Sequence, residues 1–465
     1  MSRIEPPNVL IVGAGLGGLF FALLLERQNV PYKIYERANE SRPLGSAMAL
    51  DAKIMPVFEQ LGLLDDLMSI SLPARGIHII DPQFNFLSGF DFDEYKEKTG
   101  YEMTMFERPK LHHLLESHVP KEKIIYSKKV LSLEQNEHGV MLRMSDGTTV
   151  HGDILVGADG TYSGVRQGLF KHLERKGILP TADKEELTMG HLCMVGTTNP
   201  LDPEKYPCLK DDRALFQRVI SRGDPYMWHT VNMRDNRICW GVIRQVESAS
   251  ASREAMFRNS DWGSEGDEGV MNGAFDKTTP VGGTVRDLFE ATPKENISKV
   301  FLEDKLFETW YHGRTVLIGD ACHKFLPSAG QGAVNAMQDA VILANCIYEM
   351  GEATPENITA VFKEYYDERY EPVKKMMAKS RFMALVMYGT TFKERMFRHV
   401  IVNWVPSSTK FKQYLKDTVY RPQASFLDYV ENHGTSEVLP QKPSKRYAEE
   451  KAAAKGMAEL IISNH

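Results

Sequence analysis

Cysteine is scarce and unpatterned: Cys193, Cys208, Cys239, Cys322 and Cys346 are odd in number, and no two stand in CxxC spacing. Neither a disulfide framework nor a cysteine-based zinc site is suggested, and the five read as small buried hydrophobes. No tight Ser/His/Asp set or metal cluster is seen, so no metal is expected. Basic runs are also missing, and the net charge of −6 disfavours nucleic acid or an acidic membrane surface as a partner. The most apolar stretch, Phe382 to Val405, is interrupted by Lys393, Glu394, Arg395, Arg398 and His399. A spanning helix needs about 20 mostly apolar residues, so no transmembrane segment is expected, and an interfacial helix with peripheral membrane contact stays open. The start, MSRIEPPNVLIVG, has no charged-then-apolar leader, which predicts a cytoplasmic protein or one on the cytosolic face of a membrane. Without secretion the sequons at Asn39, Asn296 and Asn357 carry no weight.

What the chain does have is length and glycine in particular places. Its 465 residues, 42% hydrophobic and 25% charged, predict two or three structural units with ample core material. Val9 to Val12 read as a buried parallel strand, followed by Gly13, Gly15 and Gly18 in GxGxxG spacing at a strand-to-helix turn. Such a turn binds a pyrophosphate through backbone N–H groups and the positive end of the helix. A second strand, Tyr32 to Tyr35, delivers Glu36, whose carboxylate suits a ribose 2′-OH and repels a 2′-phosphate. FAD or NAD is therefore favoured over NADP at this position.

Small residues follow in RPLGSAMAL, 42 to 50, suited either to close approach of a flat ring or to an ordinary turn. Ile54 to Met68 has helical spacing, and Arg75 to Phe92 alternates as strands of a second sheet. In MFERPKLHHLLESHV, Pro109 starts a helix and leaves Arg108 at its mouth, either to bridge to a phosphate or ribityl oxygen or to stand as a solvated surface arginine. Residues 124 to 156 give short strands with an Asp146-Gly147 turn. They close on a second motif, a strand Ile154 to Val156 running into Gly157, Asp159 and Gly160, with Ser163 and Arg166 where a helix begins.

Residues 186 to 285 read as an inserted antiparallel sheet with a long serine- and charge-rich connection, ESASASREAMFRNSDWGSEGDEG. Met194, Tyr226, Met227, Trp228 and Trp240 either line an apolar pocket or pack a core. The third motif is VLIGDACHKFLPSAGQGAVNAMQDA, 316 to 340. Asp320 at a strand end suits a ribityl hydroxyl, and Gly330 and Gly332 lead into a helix near Ala333 whose N-terminus faces an electron-rich ring edge. His323 is either a proton donor or structural. After Ala340 the chain reads as helical, ending in the polar KRYAEEKAAAKGMAEL.

With GAGLGG and Glu36, then GADGTYSGVR at 157 to 166, then GDACHKFLPSAGQGAVNAMQDA at 319 to 340, the chain resembles the FAD-dependent monooxygenases of the para-hydroxybenzoate hydroxylase superfamily over roughly residues 8 to 375. ERP-K-LHHLL and GQGAVNAMQDA are similar to fungal secondary-metabolite monooxygenases, including epoxidases. The resemblance implies an α/β fold: a discontinuous Rossmann-like FAD-binding domain (1–73, 104–185, 290–375), an inserted antiparallel-sheet substrate domain (74–103, 186–289) and a C-terminal helical region (376–465). It implies FAD held by Gly13, Gly15, Gly18, Glu36, Ala49, Arg108, Asp320, Gly332 and Ala333, with Asp159 and Gly160 serving FAD and the reduced nicotinamide together. NADPH or NADH reduces the flavin in such proteins, and a C4a-hydroperoxide passes one oxygen of O₂ to a small apolar substrate by hydroxylation or epoxidation. Some relatives use an Arg and a Tyr in the substrate domain; the MGHLCMVG strand offers no such Arg, and Tyr226 is the catalytic candidate for the Tyr. The competing expectations are an FAD-dependent halogenase, whose WxWxIP element is missing, an isoprenoid reductase, and a non-catalytic flavin redox sensor.

Overall fold

The computed structural model describes residues 5–41, 47–185, 187–221, 224–245, 271–327, 330–388 and 391–463. The RPLGS part of the small-residue loop and the whole serine-rich connection lie outside the described residues.

A six-stranded sheet carries the glycine motifs. Its order is 311–312, 315–317, 154–157, 9–12, 32–35, 124–125, and all neighbours run parallel except the first pair. Val9 pairs with both Ile154 and Tyr32, and Leu155 with Thr315, so the strands leading into all three motifs end on the same side of the sheet. The first helix, Leu16–Gln28, is apolar nearly all round because it is covered on both sides, by the sheet and by the Gly332–Glu349 helix. Asn29 ends it in the left-handed conformation, φ 56°. A three-stranded antiparallel sheet, 130–135, 140–144 and 149–152, flanks this unit and turns at Asp146-Gly147 as expected.

The largest sheet has ten strands, nine of them in the order 323–324, 298–306, 188–197, 237–245, 226–233, 214–220, 72–80, 104–107, 47–50, and the tenth, 86–91, paired to 72–80. It is mostly antiparallel; the strands 214–220 and 72–80 run parallel. Alternation gives it two apolar faces. The far face packs Met194, Tyr226, Trp228 and Trp240 with Met271, Val285 and Leu288. The near face packs Cys193, Val195, Ile220 and Met227 with Ala384, Met387 and Tyr388 of the long helix Pro355–Tyr388, and with Leu326 of the third motif.

Two expectations on secondary structure need correcting. Ile54 to Met68 forms two short helices, Met55–Leu61 and Leu64–Ser69, because Gly62 adopts φ 73° and stops the first. The chain after Ala340 is not helical throughout: residues 417–444 run without a helix and are pinned by Arg421, buried and donating to the carbonyls of Thr418 and Thr99. Backbone carbonyls there are satisfied by side chains, a pattern without sequence periodicity.

Candidate active site

The site is built from loops at the carboxyl ends of the parallel strands. Gly13 has φ +106°, and a Cβ on it would stand 2.4 Å from the Ala158 carbonyl oxygen, so the first and second motifs touch backbone to backbone. A Cβ on Gly18 would stand 2.1 Å from the Gly13 carbonyl oxygen, which fixes how closely the helix enters the turn. Cβ atoms on Gly15, Gly160 and Gly332 would meet nothing within 4 Å. These three glycines line open space, the cradle that a bound dinucleotide requires. Glu36 ends its strand as expected, its carboxylate accepting from the Ala14 N–H at 2.8 Å and the Ala38 N–H at 2.8 Å. Both bonds aim it at the glycine turn and leave lone pairs for a ribose hydroxyl.

Arg108 stands at the mouth of the Arg108–Ser117 helix, where burial lowers its guanidinium pKa and the Asp320 carboxylate opposes that effect. This pairing brings the ERP segment to the third motif. Asp320 accepts from Lys324 Nζ at 2.5 Å and Thr161 Oγ1 at 3.3 Å. Burial opposes its ionisation, but Lys324, His323 and Thr161 hold its carboxyl below the usual carboxylate range. Ala49 lies in a strand, 47–50, paired with 104–107 rather than in a turn. Gly332 and Ala333 open the eighteen-residue helix that ends at Glu349.

Asp159 sits elsewhere in the scheme. Its carboxylate accepts from Ser163 Oγ at 2.5 Å, Gly164 N–H at 2.7 Å and Val165 N–H at 3.2 Å, which caps the Gly164–Arg175 helix. Burial raises its pKa. Arg166 donates to the carbonyls of Ala321 at 2.8 Å and Thr161 at 2.6 Å, tying the second motif to the third. Tyr226 lies on the far face of the large sheet beside Gly273, in a cluster to which none of the three motifs contributes.

His323 is fully buried, its Nε2 2.5 Å from Asp339. Asp339 also accepts from the Gly319 N–H at 2.9 Å and from Arg369 Nε at 2.7 Å. Cys322, His323 and Asp339 are grouped within metal-ligand spacing, but both Asp339 oxygens are already engaged. The group reads as the buried clasp that sets the Gly319 loop.

Several residues escape motif reasoning. His112 Nε2 is 2.7 Å from the Ala14 carbonyl and holds the glycine turn from the Arg108–Ser117 helix. On the near face of the large sheet, Arg218 Nε, His229 Nδ1, His191 Nε2 and the Tyr388 hydroxyl are buried with no hydrogen-bond partner among the described residues. They form one patch: Arg218 pairs across strands with His229, His229 stacks on Phe216 at 5.0 Å, and the rings of His191 and Tyr388 are 4.6 Å apart. A signal for Arg218 did exist, since ALFQRVI alternates and places it on the same side as Phe216 and Ile220. Tyr388 comes from a distant helix and had none.

Burial, with Arg218 beside it, pushes His229 down to about 3. Its folded value lies below the unfolded 6.5, so the unfolded chain takes up the proton first and stability is lost as pH falls below about 6.5. Going from pH 7 to pH 5 costs about 2 kcal/mol through this one group. His229→Gln removes that share, which urea titrations at the two pH values measure; an unchanged difference counts against it.

A family model described as an FAD binding domain matches residues 7–183 and 284–380, more than half of the chain. The FAD-dependent monooxygenase paxM of Penicillium paxilli is 29% identical over 387 residues, covering 81% of this chain and 78% of that protein. The FAD-dependent monooxygenase ausM of Aspergillus calidoustus is 28% identical over 390 residues, 81% of this chain and 79% of that one. Among solved structures, HpxO of Klebsiella pneumoniae, complexed with FAD and uric acid, superposes with a TM-score of 0.70 at 19% identity, covering 89% of this chain and 97% of that chain. Tetracycline destructase Tet(51) gives 0.62 at 16% identity, covering 89% and 97%. These two show a shared fold. Three glycine motifs meeting at one sheet edge, and a family model spanning both halves of that sheet, lead to one conclusion: the chain belongs to the FAD binding domain family and is a flavoprotein oxidoreductase of the monooxygenase class.

Proposed function

We propose that the protein transfers one oxygen atom of O₂ to a small, largely apolar molecule, using FAD and electrons from NADPH or NADH. The observation that carries this reading is that the near face of the large sheet, packed against Leu326 of the third glycine motif, holds four buried polar atoms, Arg218 Nε, His191 Nε2, His229 Nδ1 and the Tyr388 hydroxyl, without a hydrogen-bond partner among the described residues. Buried polar atoms cost free energy unless bonded, so an apolar face that leaves four of them open suits a ligand bearing at least one oxygen.

In this scheme Gly13, Gly15 and the start of the Leu16–Gln28 helix would hold the pyrophosphate, Glu36 a ribose hydroxyl, Arg108 a phosphate or ribityl oxygen and Asp320 a ribityl hydroxyl. The N-terminus of the Gly332–Glu349 helix would stabilise negative charge at the ring edge. FAD, once bound and reduced, supplies the activation of O₂. The protein's part is to position the two reactants and to exclude water, which the apolar packing of Met227, Val195 and Met387 around the polar patch serves. Asp159 orders the second motif, where a nicotinamide donor would approach. Ala49 and Ala333 are small enough to let backbone reach the ring.

The purified protein is expected to show a flavin spectrum and substrate-stimulated NADPH oxidation in air, tested with phenolic and prenylated compounds. Glu36→Ala and Asp320→Ala each lower flavin occupancy. Full flavin content in both variants would sink the assignment.

A further inference from the structure

Half of the fourteen large apolar side chains that stand exposed among the described residues lie between Phe382 and Trp404. The helix Phe392–Trp404 buries no residue and leaves most of its large apolar side chains in the open. Phe392 (75% exposed), Met396 (58%), Val400 (45%) and Trp404 (75%) recur every four residues and form one outward stripe, with Phe397 beside it. The less exposed residues are Glu394, Arg398, Ile401 and Val402, and Glu394 is spent capping the helix through the Thr391 N–H. The helix lies against the strand 86–91, whose Phe86 is itself 53% exposed, and against the end of the Pro355–Tyr388 helix.

Charge decides what covers this stripe. Exposed Lys393, Arg395 and His399 flank it, and the next helix, Ser407–Lys416, adds Lys410, Lys412 and Lys416 without a single acid. The whole chain carries −6, yet this corner is cationic. A second copy docked through a two-fold contact would set these same cations against themselves. An anionic surface with an apolar interior satisfies both features, and a tryptophan at the stripe's end is the side chain that settles at such a boundary. Among the described residues no helix is long and apolar enough to cross a membrane.

We propose that the Phe392–Trp404 helix docks in the plane of a bilayer bearing anionic headgroups, its stripe immersed and its lysine and arginine at headgroup level. The overall charge of −6 does not oppose such docking, because attraction within a Debye length is set by local charge, not by the sum over the chain. The preceding helix turns its other side, Ala384, Met387 and Tyr388, to the near face of the large sheet. Resting on the monooxygenase reading, this places the candidate site one helix away from a lipid phase that would hold an apolar substrate.

The test is co-sedimentation of the FAD-loaded full chain with phosphatidylcholine vesicles, with and without phosphatidylserine. The wild type is expected to pellet with the anionic vesicles. A Phe392→Ser/Trp404→Ser variant, altered only at exposed positions, weakens binding at least about tenfold, and Lys393→Glu/Arg395→Glu abolishes the preference for phosphatidylserine. Tryptophan emission shifts to the blue on vesicles, a shift lost in Trp404→Phe. A wild type that stays in the supernatant overturns the proposal, as does a double variant that pellets equally well. So does light scattering that shows a dimer dissociated by the double substitution without any vesicle binding. Flavin content, read from the same samples, reports separately on the FAD assignment.

Discussion

Arg369→Met is expected to lower the unfolding free energy by about 3–5 kcal/mol, the cost of stripping one partner from a buried ion pair. Arg369 and Asp339 are both fully buried. The guanidinium spends its donors on Asp339 Oδ1 at 2.7 Å, Gln338 Oε1 at 3.2 Å and Asn335 Oδ1 at 3.0 Å. Burial disfavours the Asp339 charge, and His323 and Arg369 together keep its carboxyl below the usual range. With methionine in place the carboxylate stays engaged by His323 and the Gly319 N–H but loses the Arg369 counter-charge in a fully buried site. The effect extends to the cofactor, because Asp339 is the group that holds the Gly319 loop beside Asp320. Urea unfolding of the two proteins measures the loss, and Arg369→Lys, a point charge without the planar fork, recovers only part of it. A loss below about 1 kcal/mol, the level of an exposed pair, would show that the clasp contributes little.

Gly13→Ala is expected to abolish tight flavin binding. The new methyl would sit 2.4 Å from the Ala158 carbonyl oxygen and 2.8 Å from the Asp159 Cα, both backbone atoms that no side-chain rotation can move. The φ of +106° adds backbone strain for any residue but glycine. Relief requires the first and second motifs to separate, and their separation spoils the cradle that both line. Strain and overlap together cost about 2–4 kcal/mol, enough to weaken binding well over tenfold. Gly17→Ala is the control: its Cβ would lie 3.4 Å from the Ala336 Cβ, an ordinary contact, and flavin content is retained. Equal flavin in the Gly13→Ala and wild-type proteins, measured by absorbance after gel filtration, would contradict this account.

The two expectations differ in how far the sequence foretells them. Gly13 announces itself by spacing, since a strand that ends in GxGxxG and a helix that follows have few ways to fold. The strands 9–12 and 32–35, the start of the Arg108–Ser117 helix and the Gly332–Glu349 helix all follow from local pattern, and Glu36 falls where the spacing puts it. Arg369 announces nothing. It lies in a charged stretch, VFKEYYDERYEPVKKMM, that reads as a solvated face, and it is buried because the long helix crosses the Gly332–Glu349 helix at that turn.

Local order therefore came from the sequence by itself: the buried strands, the turns that glycine alone permits, the place of Glu36 at the end of the second strand, and the family that three motifs in order define. Tertiary structure alone decided which distant residues meet. It paired Arg108 with Asp320, spent Asp159 on a helix cap, put Tyr226 on the far face, gathered Arg218, His191, His229 and Tyr388 on the near one, and turned an interrupted apolar stretch into an exposed stripe. The physical reason is range. Backbone preference and alternation act over a few residues and survive translation into sequence pattern, whereas side-chain partnership across more than a hundred residues depends on packing, which leaves no periodic trace.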